Sequence, residues 1–567
     1  MPSKKILALS LSINIFFLGL CLIFGNLRFG ANDDCFMSGI LSGMYGQDFN
    51  VHLTFVNALY GYALLPFYHI FPKINWYYIG EMSSIFISLT TVGYIIIKKV
   101  GCNWGMILTS LLVALCASDY YIVLQFTQCA AMLSAAGMLC CIYGFENRSA
   151  RTENAKATLL TIAIGIALLL WGSCMRWPAY LMGLPFFAAA LLFNVKKYWK
   201  IKKFVLSTLL IAFTCSYAAH QFDRSLYQAP DYKKYIDFQA PRSLLGDGSN
   251  YDQGAVYEDL EELGFSGQDY ALLLKWTFYD KKVFSPEKIN VVTNIISKHF
   301  FPCNVQSIPQ KLLNALVPST RNPIFFAWLL FSVALIIFNR KKSFWEWVTL
   351  IPMLLMFAYL LNLNRFVYRV ETGLWLYATI LTIPLLKERF FIPRKISIFA
   401  LMIIALFNIN LYATNGKQFR SPNSGELITS RNMIIDTSDY KGFLAYTDSM
   451  PDSIVFFMEM NSYSALSERR TPPYISMGKS SWEQIFSFGY WTPYFPDLEN
   501  AMLKRGVTNP IEDVVKENVF VVNEPRLIDF LERHYYKKVD IDTVRNFNGM
   551  IVYKYSIAPD SIAEVSP

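Results

Sequence analysis

Charge is scarce in this sequence: Asp, Glu, Lys and Arg make up 16% of its 567 residues, against about 25% in a soluble domain. That shortage excludes an ordinary soluble globule. The remainder is 54% hydrophobic and 16% aromatic, a composition suited to lipid. Several catalytic signatures are missing too. There is no Gly-rich nucleotide loop, GxSxG elbow or HExxH pair, which excludes an ATP-driven pump and the hydrolases built on those motifs. None of the ten cysteines forms a CxxC pair, and the five histidines (His52, His69, His220, His299, His534) have no metal-ligand spacing. Cys35, Cys174 and Cys303 fall outside the apolar runs and make no even disulfide framework, so unpaired thiols are expected.

What the chain does have is long apolar runs. A bilayer core needs about 20 such residues per helix, with roughly 17–25 tolerated. Eleven stretches meet or approach this: 6–26, 76–97, 103–118, 121–143, 157–173, 178–194, 204–220, 323–338, 347–363, 371–386 and 396–413. No small-residue cleavage site follows the first, which reads as a retained helix. The expected fold is a polytopic all-α membrane domain of about 11 helices, residues 1–413. A C-terminal α/β domain, 414–567, follows it.

Basic residues set the orientation. With the N-terminus cytoplasmic, inner segments carry nineteen Lys and Arg against only Glu146, Glu153 and Glu388. The short outer loops hold only Arg28, Lys73, Arg176, Arg365 and Arg369. The inner loops thus contribute 19 − 3 = +16 to a formal net charge of +9. The basic balance reports topology and anionic lipid headgroups, not nucleic acid.

Three soluble blocks then lie outside. Loop 27–75 contains two apolar stretches, 36–45 and 51–71, expected as helices lying in the interface. Loop 220–322 has helical spacing through 267–299, with Ser285-Pro286-Glu287 as a helix start. The C-terminal domain shows strand-like runs at 454–458, 518–522 and 549–555, and helical ones at 497–505 and 525–536.

The residues that carry chemistry gather on the outer side. Asp33 and Asp34 follow the first helix, where mutual repulsion and lost hydration favour a raised pKa or a bound cation. The competing reading is a helix cap. Asp119 sits in the short turn between the third and fourth helices, where turn chemistry alone also accounts for it. Glu81 lies near the outer end of its span and is a further acidic candidate. Arg176, Arg365 and Arg369 are exceptions to the inner bias. A spacing of four puts the last two on one helical face. Guanidinium forks match phosphate oxygens, although snorkelling toward headgroups or pairing with Glu371 serves equally. Trp482, Trp491 and Tyr494 offer flat faces for a sugar, or for a core edge.

This pattern resembles the GT-C class of multi-helix membrane glycosyltransferases across roughly 1–413, on the acids Asp33, Asp34 and Asp119 and the arginines Arg176, Arg365 and Arg369. The runs NDDCFMSGILSGMYG, HLTFVNALYGYALLPFYHIFPKINWY, NRFVYRVETGLW and WEQIFSFGYWTPYFPDLE are similar to a group of bacterial membrane proteins found with surface-polysaccharide genes. No WWDxG-type oligosaccharyltransferase signature is present, which argues against protein N-glycosylation.

The resemblance implies a bacterial plasma-membrane enzyme using a polyprenyl-phosphate sugar donor and a glycan or lipid-linked acceptor. Transfer would invert the anomeric centre, with Asp33 or Asp34 as base and the arginines on the donor phosphate. A divalent cation, Mg or Mn, at Asp33/Asp34 is compatible with the class, and arginine alone also serves a single phosphate. The rival readings are a transporter or flippase for a polysaccharide or lipid intermediate, and a surface-polysaccharide polymerase or ligase.

Overall fold

The computed structural model describes residues 3–45, 48–247, 251–301, 307–363, 365–387, 392–429, 438–469, 472–478 and 484–558. Helices occupy all eleven expected stretches. Among the described residues nine are long and apolar enough to cross a membrane: Ser3–Phe24, Trp76–Val100, Cys102–Ile122, Phe126–Ala150, Ala155–Met175, Lys202–Leu226, Pro323–Lys342, Phe344–Asn362 and Arg394–Asn415. The other two are shorter, Trp177–Leu192 and Tyr368–Ile380. The chain is a multi-pass membrane protein.

Phe126–Ala150 is the axis of the bundle, with its apolar window wholly buried. Its small residues explain how neighbours come so close. A Cβ on Gly137 would lie 2.8 Å from the Gly165 carbonyl oxygen. Peripheral helices do the reverse and turn Leu206, Leu210, Phe399 and Leu406 outward, where lipid would cover them. The loop lysines gather at one end of the bundle. There Lys98 pairs with Glu153 at 3.3 Å and Lys99 with Glu146 at 2.6 Å.

The three soluble blocks meet at the opposite end. Two short parallel strands, β1 (Arg28–Phe29) and β2 (Val123–Leu124), join the first loop to the turn before the central helix. The helix Asn32–Leu41 departs from the interfacial position expected of it. Its residues from Asp34 onward are buried, with Phe36 packed on Tyr490 and Phe495. The C-terminal domain covers a face that composition alone assigned to lipid. The helix Ala58–Ile70 keeps the expected exposure at Tyr62, Phe67 and Ile70.

After Asn415 a hairpin of β3 (Phe419–Arg420) and β4 (Leu427–Ile428) leads to a mixed five-stranded sheet. Its strands are β5 (Val455–Met458), β6 (Ile485–Ser487), β7 (Val519–Val522), β8 (Val539–Phe547) and β9 (Met550–Ile557), in the order β6-β5-β7-β9-β8. The 220–322 insertion docks on this sheet. The amides of Phe278 and Tyr279 donate to the Phe488 carbonyl, and Lys281 pairs with Glu499 at 2.5 Å. The helical spacing expected over 267–299 takes the form of two helices, Gly267–Leu274 and Pro286–Lys298, the second starting at the expected Ser285 cap. Cys35 and Cys174 are both buried, and Cys303 lies outside the described residues.

Candidate active site

The helix Asn32–Leu41 has Ala31 in the capping position, so both acids sit inside its first turn. The positive end of the helix dipole favours carboxylates there. The two acids then diverge. Asp34 is fully buried, and its Oδ1 accepts from the Tyr77 hydroxyl at 3.1 Å and from the Phe126 amide at 3.2 Å. Its hydrogen bonds go to other helices, so the capping role does not describe Asp34. Tyr77 and Glu81 stand one turn apart on Trp76–Val100, the spacing that puts both on one face. Asp34 Oδ2 and both Glu81 carboxyl oxygens are buried without a hydrogen-bond partner of good geometry. Burial pushes the Asp34 carboxyl well above the usual carboxylate range. The facing Glu81 carboxyl pulls it back, the Asp33 charge adds to the rise, and the Phe126 and Tyr77 donors again oppose it.

Asp33 is only half-buried. Its Oδ1 accepts from Trp491 Nε1 at 3.2 Å and from the Tyr490 hydroxyl at 3.5 Å. Trp491 thus belongs with Asp33 as a hydrogen-bond donor. Its ring also packs edge-on against Phe55 at 4.5 Å. Arg176 lies over Phe55 and Phe126, 5.4 and 5.2 Å from their centroids. Asp33, Asp34 and Arg176 therefore border one aromatic cluster. Asn32, the neighbour of Asp33, borders a small cleft, lined also by Tyr45, Tyr463, Ser464 and Tyr490. Tyr494 faces the core, between Phe238 and Tyr279. Trp482 lies outside the described residues.

Asp119 forms a second group. It is buried in a π-helical turn, and its Oδ2 accepts from the Tyr368 hydroxyl at 2.5 Å. Arg365 and Arg369 do not share a helical face, because the helix begins only at Tyr368, after an extended Val367. Arg365 is exposed, and Arg369 donates to Asn423 in the β3–β4 hairpin. Glu371 accepts from Ser319 at 2.7 Å and Asn322 at 3.1 Å. The two groups are joined through β1–β2: the Gly30 amide donates to Leu124, and Gln128 bonds Thr372 at 3.3 Å.

Sequence reasoning missed Arg242. It is 1% exposed, on the helix Pro230–Asp247, and lies 4.2 Å from the Trp491 ring centroid. Its signal was faint, one arginine in a loop whose charges nearly cancel.

For the divalent cation considered at the acidic pair, the ligands would be Asp33 and Asp34. Asp33 Oδ1 is already engaged by Trp491, and among the described residues no three His, Cys, Asp or Glu side chains are grouped to hold a metal ion.

No protein-family model matches the chain, and no curated protein does. Among solved structures, the chain is similar to ArnT from Cupriavidus metallidurans in the apo state, at 12% identity over 98% of each chain with a TM-score of 0.43. ArnT bound to undecaprenyl phosphate aligns at 11% identity over 97% of this chain and 98% of that one, with a TM-score of 0.42. The archaeal oligosaccharyltransferase AglB from Archaeoglobus fulgidus, in complex with an inhibitory peptide and a dolichol-phosphate, aligns at 12% identity over 98% of this chain and 75% of that one, with a TM-score of 0.41.

Proposed function

We propose that the chain is a membrane glycosyltransferase that moves a sugar from a polyprenyl-phosphate donor to a cell-surface glycan or lipid-linked acceptor. The loop charges support an extracytoplasmic site. The observation that carries the reading is the split between the two acids on one helix turn: Asp33 half-buried and open to solvent in part, Asp34 fully buried. A general base must reach its substrate. Asp33 meets that condition and Asp34 does not.

In the reaction, the acceptor hydroxyl oxygen attacks the anomeric carbon as its proton passes to Asp33. The bond from that carbon to the phosphate oxygen breaks on the opposite face, which inverts the centre. The departing polyprenyl phosphate takes the electron pair, and arginine stabilises the charge that grows there. Arg176 is nearest the Asp33 cluster. Arg365 and Arg369 stand where the hairpin meets the outer end of the bundle, suited to a lipid phosphate arriving from the membrane. No step requires a metal.

The test is release or transfer of radiolabelled sugar from undecaprenyl-phosphate donors by the full-length protein in nanodiscs. Turnover that disappears in Asp33→Asn supports the reading. Undiminished turnover in that variant sinks the assignment of the base.

A further inference from the structure

Between the 220–322 insertion and the acid-bearing helix stands a cation held between two indoles. The Arg242 guanidinium carbon is 4.5 Å from the Trp276 ring centroid and 4.2 Å from that of Trp491. A buried guanidinium is attracted to such faces. Its Nε and Nη2 donate to Gln239 Oε1 at 2.9 and 2.7 Å, and Gln239 Nε2 donates to the Pro493 carbonyl at 3.1 Å. One helix of the insertion therefore grips the 491–493 loop twice, at the Trp491 ring and at the Pro493 backbone.

The backbone around this clamp is in an unusual conformation. Trp276 and Tyr490 both have positive φ, +62° and +65°, which bulky residues rarely adopt. Between them Gly489 leaves no room: a Cβ there would fall 1.8 Å from the Trp276 carbonyl oxygen. Strain of this kind persists where surrounding contacts over-determine it, and it clusters at functional sites.

We infer that Arg242 is a positioning residue, clamping Trp491 so that its indole N–H holds Asp33 in place. This assignment rests on Asp33 as the general base. It makes the 220–322 insertion part of the active centre and explains why the Trp491 face is unavailable to a sugar: the guanidinium covers it.

The consequence is chemical as well as steric. A donated hydrogen bond favours the charged carboxylate. The other groups facing Asp33 are Asp34 on its own helix, Tyr490 on the C-terminal loop and Tyr235 on the insertion helix, while Arg242 bears on Tyr235 and lies across the Trp491 ring. Arg176 stands beyond Phe55.

The experiment follows donor hydrolysis against pH, using full-length protein in nanodiscs and radiolabelled undecaprenyl-phosphate glucose and mannose as probes. Trp491→Phe keeps the ring and its cation face but loses the N–H. The expected result is an acid limb moved to higher pH, with kcat/KM down about tenfold below the limb, as a one-unit shift requires. The alkaline plateau stays within about twofold. Arg242→Gln moves the limb the same way and lowers kcat with little change in donor KM, and Arg242→Lys restores part of it. If Arg242→Gln does not fold, Trp491→Phe decides alone. Wild-type profiles in both variants, alongside an inactive Asp33→Asn, overturn the clamp. An active Asp33→Asn overturns the parent reading instead.

Discussion

Tyr368 donates its hydroxyl to Asp119 Oδ2 at 2.5 Å, tying the turn Ser118–Ile122 to the start of a helix 249 positions later. That helix carries Arg369 in its first turn, and the backbone amides of Tyr368 and Arg369 donate to Asn423 and Pro422 of the β3–β4 hairpin. Under the proposed function, the acid at 119 would act on how Arg369 is presented, by holding the start of its helix. Asp119→Asn and Tyr368→Phe should therefore raise the donor KM several-fold and leave kcat within about threefold. Losing a hydrogen bond to a charged group costs about 1.5–3 kcal/mol, enough to loosen the helix start. Steady-state kinetics with undecaprenyl-phosphate glucose would check the split. A kcat loss as large as that of Asp33→Asn would make Asp119 a chemical residue instead.

The two adjacent acids should behave differently under the same substitution. Asp33→Asn removes the base and should lower kcat by about 10²–10⁴-fold, the usual contribution of general-base catalysis. Asp34→Asn retains an oxygen that can accept from Tyr77 and Phe126, and should keep activity within about tenfold. Single-turnover rates at saturating donor distinguish the two outcomes. Equal losses would mean that the pair works as a unit.

The membrane fold was legible because twenty-residue apolar runs and loop charge are local properties, readable without knowing what packs on what. The outer helix Asn32–Leu41 was misplaced because its cover, Tyr490 and Phe495, comes from more than 450 residues away. The C-terminal sheet was half-visible. The buried strands β5 and β7 announced themselves by Val and Phe, whereas β8 is mostly exposed and charged, and β6 has three residues. The candidate residues Asp33, Asp34 and Arg176 carried a signal, being charges beside membrane helices. Which acid is open, and that Arg242 stands behind Trp491, are tertiary facts with no sequence period to mark them.

Asp34 should also leave a mark on stability. Burial raises its folded pKa above the unfolded value, so between the two the folded state binds the extra proton. With more protons on the folded than on the unfolded state, unfolding free energy falls as pH rises. The stabilisation is complete below the unfolded pKa and is lost as pH climbs through the raised folded one. Detergent-solubilised wild type should show a melting temperature that declines through that window. In Asp34→Asn the decline should shrink, and an identical slope in the variant would assign the effect to another group.

The orphaned oxygens of Asp34 and Glu81 set the last expectation. Three buried carboxyl oxygens without donors need either a shared proton or a cation between them. We propose the shared proton, since among the described residues no third ligand is grouped with the two buried acids. Donor hydrolysis by protein treated with EDTA and then freed of chelator should therefore stay within about twofold of the untreated rate, and added Mg²⁺ or Mn²⁺ should not raise it. Glu81→Gln, which keeps the shape and removes one carboxylate, should remain folded and show the same indifference to EDTA. A collapse of activity with EDTA that Mn²⁺ restores in wild type but not in Glu81→Gln would replace the proton with a metal, and the arginines would no longer be the sole positive charge available to the leaving phosphate.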